Sequence, residues 1–127
     1  MANVISTTYA INGSRNFRAR IEITGDGSGD ESNTVVIDVA NLTGTPSKFK
    51  IKSVNWDLHG FGGALKWAAN TPILALALPT YGDEMDFFES GAPLINNAGA
   101  GITGNLTLDT FGLDATGRGT IIINGYH

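Results

Sequence analysis

An alternation of period two constrains this chain more than any other feature. Between Arg15 and Thr24, Phe17, Ala19, Ile21 and Ile23 fall on one side of an extended backbone, and Arg18, Arg20 and Glu22 fall on the other. Such a run buries one face and wets the other, whereas the apolar positions of a helix would recur every three or four residues. Asn12-Gly13 separates it from an earlier run rich in β-branched residues, Val4 to Ile11. Asn-Gly between two extended runs predicts a hairpin, because a two-residue turn of that kind needs positive φ at both positions.

The pattern continues in short pieces. Thr34 to Val39 places Val35, Ile37 and Val39 inward and Asp38 outward. Ala64 to Ala68 sets Leu65 and Trp67 opposite Lys66. Asn105 to Phe111 aligns Leu106 with Leu108, and Arg118 to Asn124 aligns Ile121 with Ile123. Between these runs lie glycine, asparagine and proline clusters, and the chain holds 17 glycines beside only 16% charged residues. That balance suits many short strands and tight turns rather than long solvated helices. The expectation is an all-β chain, an antiparallel β-sandwich or small jelly-roll-like barrel of about eight strands, with residues 1–127 as one domain. At this length a core can form without disulfides or metal.

Two segments break the simple pattern. From Ser47 to Leu58, Phe49 and Ile51 oppose Lys48, Lys50 and Lys52, and then the phase changes so that Val54 and Trp56 fall on the lysine side. Either a bulge restores the phase or the outer face carries a tryptophan. Ile73 to Leu78 is apolar on both faces, which predicts a central strand or one covered by a neighbouring subunit. Pro79 to Ala100 is irregular, with an acidic cluster at Asp83, Glu84, Asp86 and Glu89 and a short strand expected near Phe87 and Phe88. Long loops are often contact surfaces. The residues that stand out as partner contacts are therefore Trp56, Val54, Lys48, Lys50, Lys52, Ile73, Ala75, Ala77, Phe87 and Phe88.

Catalytic chemistry finds little support. There are no cysteines, so thiolate ligation and a cysteine nucleophile are excluded. Of two histidines, His59 is the only internal one, and Ser28 has Asp26 and Asp30 where a nucleophile elbow needs glycines. Asp26, Ser28 and Asp30 have the spacing of the first calcium-loop ligands. Glu31, however, replaces the glycine of the turn, and Ile37 replaces the bidentate glutamate. The stretch from Gly25 to Asn33 reads instead as a solvated loop. No enzyme activity, cofactor or metal is expected. Eight basic against twelve acidic residues leave a net charge of −4, a field that repels phosphate backbones, so nucleic acid is not an expected partner. The start of the chain lacks the basic and apolar run of a secretory signal, and no stretch is apolar enough to span a bilayer. Trp56, Trp67, Tyr81, Phe87 and Phe88 beside the acids suggest a carbohydrate-binding module, with a host glycan as partner, as another reading.

Over Asp26-Gly27-Ser28-Gly29-Asp30-Glu31-Ser32-Asn33-Thr34-Val35-Val36-Ile37-Asp38-Val39 the chain resembles small virion structural proteins of tailed bacteriophages. Ile51-Lys52-Ser53-Val54-Asn55-Trp56 and Thr103-Gly104-Asn105-Leu106-Thr107-Leu108-Asp109-Thr110 extend the likeness. The resemblance implies a particle component, with a capsid decoration or cement protein fitting best and a tail, neck or fibre-associated protein as the alternative. It further implies the major capsid protein and copies of the chain itself, as a trimer, as partners. Its place would be the capsid surface of virions assembled in the host bacterial cytoplasm.

Overall fold

The computed structural model describes residues 3–79, 81–86 (backbone only) and 93–127. Among the described residues nine strands succeed one another: β1 (Val4–Asn12), β2 (Asn16–Thr24), β3 (Thr34–Ile37), β4 (Lys50–His59), β5 (Gly62–Trp67), β6 (Ile73–Leu78), β7 (Tyr81–Asp86), β8 (Leu106–Phe111) and β9 (Arg118–Tyr126). One 3-10 turn, Val39–Asn41, lies between β3 and β4, its first turn capped by the Asp38 carboxylate on Ala40 N–H. All pairings among the described strands are antiparallel.

The strands form a five-stranded sheet in the order β1-β2-β9-β4-β7 and a four-stranded sheet in the order β3-β8-β5-β6. The connectivity is that of one long hairpin folded over on itself. β2 pairs with β9, β3 with β8, β4 with β7 and β5 with β6, and successive pairs alternate between the sheets. The β4–β9 and β5–β8 ladders then join the pairs into two layers. This is jelly-roll order, an open sandwich rather than a closed barrel, with β1 added outside β2.

The alternating residues meet between the layers. Phe17, Ala19, Ile21 and Ile23 of β2 face Leu65 and Trp67 of β5 and Leu106 and Leu108 of β8 across one continuous buried cluster. Phe49 bridges the sheets. Its ring stands edge-on to Phe17 at 5.2 Å and to Trp67 at 5.3 Å, the arrangement that ring quadrupoles favour.

The sequence pattern and the structure part company at four places. The β1–β2 hairpin is present, but its connection is longer than two residues. Asn12 pairs with Phe17 and the Gly13 N–H donates to the Asn16 carbonyl, with φ not positive at either Asn12 or Gly13. Asn12 is held in the strand by the 3-10 segment, because its side chain accepts from Thr43 N–H and donates to the Asn41 carbonyl. In β3 a register shift between Val35 and Ile37 turns Val35 outward and lets Val36 and Ile37 both go in. The irregular stretch after Pro79 contains the sheet strand β7, while the strand expected at Phe87 and Phe88 lies outside the described residues. Ile73 to Leu78 is not central, since β6 ends its sheet.

Candidate functional site: a basic groove and an open edge

The phase change in β4 resolves as a bulge. Against β9 the register slips between Ile51 and Ser53, so Lys52 is the extra residue and the alternation resumes one step later. A bulge adds one residue to one strand and re-aims the side chains beyond it. Val54 is therefore wholly buried and Trp56 is only 5% exposed, and the Trp56 indole N–H donates to the Pro79 carbonyl at 3.2 Å. The expectation that Val54 and Trp56 form an outward contact face is overturned. Trp67 is fully buried as well, so neither tryptophan is available to a sugar-binding shelf, while the side chain of Tyr81, and Phe87 and Phe88, lie outside the described residues.

The lysines before and within the bulge stay outside and help to build a groove. It occupies about 760 Å³ at the end of the five-stranded sheet where β2 begins and β9 finishes, and Arg15, Asn16, Lys48, Phe49, Lys50, Lys52, Ile95, Asn96, Tyr126 and His127 line it. Strand register assembles it: Asn16 of β2, Tyr126 of β9 and Lys50 of β4 lie in one cross-strand row. The ammonium groups of Lys50 and Lys52 stand 5.6 Å and 5.4 Å from the centre of the Tyr126 ring, within cation–π range. Lys52 also donates to Asn16 Oδ1 at 2.7 Å. An antiparallel bridge between Ile51 and Leu94 brings the segment holding Ile95 and Asn96 alongside. Asn96 is 8% exposed, and its amide oxygen accepts from Ala98 N–H. Its amide nitrogen and the Nε2 of His127 are buried without a hydrogen-bond partner.

The second feature is the free edge of β6. Among the described strands it pairs only with β5. Ile73 and Ala75 are half-buried and Ala77 is exposed, as an outward edge requires. The large apolar residue left in solvent is Leu74, 56% exposed. Sequence pattern does not single it out, because a register shift between Leu65 and Lys66 decides which β6 side chain turns out.

The acidic loop after β2 is tied down rather than poised for a cation. The Asp30 carboxylate accepts from Leu113 N–H at 2.7 Å, Gly112 N–H at 3.1 Å and Thr110 Oγ at 3.1 Å. The Leu113 and Gly112 N–H groups hold its carboxyl below the usual range. Burial tends to raise the Asp109 carboxyl, but the Asn33 N–H and the Lys66 ammonium outweigh it and leave it low. Among the described residues no three His, Asp or Glu side chains gather as a metal site. His59 is exposed and paired with Asp57 at 3.1 Å. The side chains of Asp83, Glu84 and Asp86, and all of Phe87, Phe88 and Glu89, lie outside the described part.

Arg15, Asn96, Tyr126 and His127 join the lysines through register alone, and their distance from one another in sequence hides the grouping. No protein-family model matches the chain, and neither a curated protein nor a solved structure matches it.

Proposed function

We propose that the protein is a non-catalytic structural part of a tailed-phage particle, a decoration or cement protein that binds the outer shell and joins neighbouring major capsid subunits. The observation that carries this reading is the β6 edge. A six-residue edge strand with no charge and no proline, Ile-Leu-Ala-Leu-Ala-Leu, lacks the devices by which free-standing sheets discourage pairing. Backbone groups that no other described strand pairs, and an exposed Leu74, invite a partner strand or an apolar surface. Covering Leu74 contributes about 1 kcal/mol per copy, a fraction of the value for burying a whole leucine side chain. A weak contact repeated over many copies is what a shell-binding protein needs. The likeness of residues 26–39, 51–56 and 103–110 to small virion proteins supports the same reading. Fold supports it only by analogy, since jelly rolls occur in capsid and lectin domains alike.

The test is a quantitative protein stain of purified particles, repeated with Leu74→Lys. Hundreds of copies per particle, lost in the variant while its melting curve stays intact, is the expected result. A few copies per particle would assign the chain to the tail or neck instead, and absence from the particle would overturn the proposal.

A further inference from the structure

Among the described residues four strands end the two sheets, β1 and β7 in one and β3 and β6 in the other. β1 and β3 are tied together. Thr7 Oγ donates to the Val36 carbonyl at 2.6 Å, and Asn12 at the end of β1 is held by the 3-10 segment that follows β3. β7 has three acidic residues in its six, Asp83, Glu84 and Asp86. β6 has no charge and no polar side chain to tether it. Its sequence fits one partner in particular. We infer that the occupant of this edge is the β6 of a second copy, laid antiparallel across a two-fold axis so that two four-stranded sheets become one continuous sheet. The inference rests on the reading of β6 as the contact edge and names its partner.

Pro72 and Pro79 bracket the strand at equal distance from its centre, which falls between Ala75 and Leu76. Proline has no N–H to give and stays out of ladders, so the window for pairing is Ile73 to Leu78. One antiparallel register pairs all six residues of both strands and leaves the prolines outside. It sets Ile73 opposite Leu78, Leu74 opposite Ala77 and Ala75 opposite Leu76 of the second copy. A slip of one residue either way puts a proline opposite Leu78 or Ile73. Opposed residues of a ladder face the same side, so in a regular strand a two-fold pairing centred between two residues would set inward positions against outward ones. β6 is not regular. Leu65 pairs with Leu76 and Lys66 with Leu74, which leaves Ala75 as an extra residue. Leu74 and Ala77 are therefore both exposed on the outer face, while Ile73, Leu76 and Leu78 turn inward with Trp67, Leu65 and Gly63. In the two-fold register Leu74 meets Ala77 outside and Ile73 meets Leu78 inside, on both sides of the centre. A regular strand from another protein would fall out of phase at Ala75. A second β6 carries the same extra residue and stays in phase. Large stands against small on the outer face, and the two molecules, each of net charge −4, meet where neither strand is charged.

The contact is small. Six residues make an edge about 20 Å long, and with a sheet layer about 10 Å thick each copy covers roughly 200 Å², against about 800 Å² per partner in a stable complex. The pair is accordingly weak, formed at high concentration or where a shell gathers copies. Leu74 stays on the outer face of the joined sheet, so the shell contact proposed above reaches two copies at once. An isologous pair closes at two, not at the three that the resemblance implies.

The chain has no cysteine, so introduced cysteines report the register directly. Opposed Cα atoms of an antiparallel ladder lie about 4.5–5.5 Å apart, inside the span that a disulfide bridges. Position 74 of one copy lies three residues, about 10 Å along the strand, from position 74 of the other, which is outside that span. Mild oxidation of an equal mixture of Leu74→Cys and Ala77→Cys chains should therefore give a mixed disulfide dimer at least about tenfold faster than either variant alone. It should outpace by as much Phe111→Cys, a collision control at an exposed site on β8. Intact mass reads the product, and melting curves confirm that each variant folds. Sedimentation of the parent from micromolar to millimolar concentration should show a mass rising toward two copies, and Leu74→Lys should weaken the association at least about tenfold. A parent that stays monomeric at millimolar concentration overturns the inference. So do single-cysteine variants that cross-link as fast as the mixture, and so does an assembly of three. Particles free of the chain, beside a mixed disulfide that forms as expected, would sink the particle reading alone. A monomer that still coats the particles would sink this inference alone.

Discussion

The two ends of the five-stranded sheet carry opposite charge and treat it in opposite ways. At the end where β2 finishes and β9 begins, acids meet backbone donors. Asp30 accepts from Leu113 and Gly112, Asp114 from Thr116, and Asp26 from Ser28. Arg118 there donates to the carbonyls of Ala115 and Gly117. Of these carboxylates only Asp26 leaves a buried oxygen, Oδ2, without a partner. At the other end four cations surround a groove with no described carboxylate side chain on its wall, above two buried nitrogens that nothing satisfies. Charge spent on the chain's own backbone holds a loop in place. Charge at the groove sits on side chains that line an open surface instead.

The contrast predicts that damage to the acidic end unfolds the protein and damage to the basic end does not. The largest effect belongs to Gly25→Ala. A Cβ there would sit 1.9 Å from the Asp114 carbonyl oxygen, beside the Gly25 N–H that donates to Gly117, and backbone cannot step aside as a side chain can. A loss of about 3 kcal/mol is expected, read as a fall of roughly 10 °C in the melting temperature. Next comes Asp30→Ala, which strands the Gly112 and Leu113 N–H groups and should cost about 2 kcal/mol in denaturant titration. If Asp30→Ala melts with the parent, the acidic end is not the structural one and the comparison fails.

Sequence pattern reaches the layers but not the ends. Alternation alone places Phe17, Ile21, Leu106, Leu108, Ile121 and Ile123 in the core, because a pleated strand with one buried face leaves that period in the sequence. It misplaces Val54 and Trp56 because a bulge is a one-residue event. The bulge reverses the facing of every later residue in its strand, and its location depends on which strand lies alongside. The lysines of the groove are legible as a strip. Their convergence on Tyr126, and the presence of Arg15 and Asn96, rest on β4 lying between β9 and the Leu94 bridge, a fact of topology that no local pattern carries. The open edge at β6 is visible only as an ambiguity, since a strand apolar on both sides reads alike whether it is central or unpartnered.

Acid titration sharpens the contrast at a smaller scale. Asp26, Asp30, Asp109 and Asp114 all have folded values held below the ordinary 3.8. A carboxyl depressed on folding adds stability that is complete above its unfolded value and is lost as pH falls through the folded one. Stability should therefore drop as the pH is lowered below about 4, and Asp30→Ala should show a shallower drop than the parent. Melting curves taken from about pH 5 down to about pH 2 would show this, and parallel slopes would mean that Asp30 is no better satisfied in the fold than outside it.

The smallest effect is expected where the charge is greatest. In the doubly substituted Lys50→Gln, Lys52→Gln protein two terms oppose each other: contacts are lost, the Lys52 hydrogen bond to Asn16 and cation–π contacts with Tyr126 worth about 0.5 kcal/mol each at an exposed site, while mutual repulsion among Lys48, Lys50, Lys52 and Arg15 is relieved. The net change should stay within about 0.5 kcal/mol of the parent. Salt separates the two terms. Repulsion between exposed charges is screened over about 8 Å at physiological ionic strength, so adding sodium chloride should raise the melting temperature of the parent slightly and that of the variant less. A variant that loses several kcal/mol would show that the lysines hold the fold together as Asp30 does, and the two ends of the sheet would then be alike.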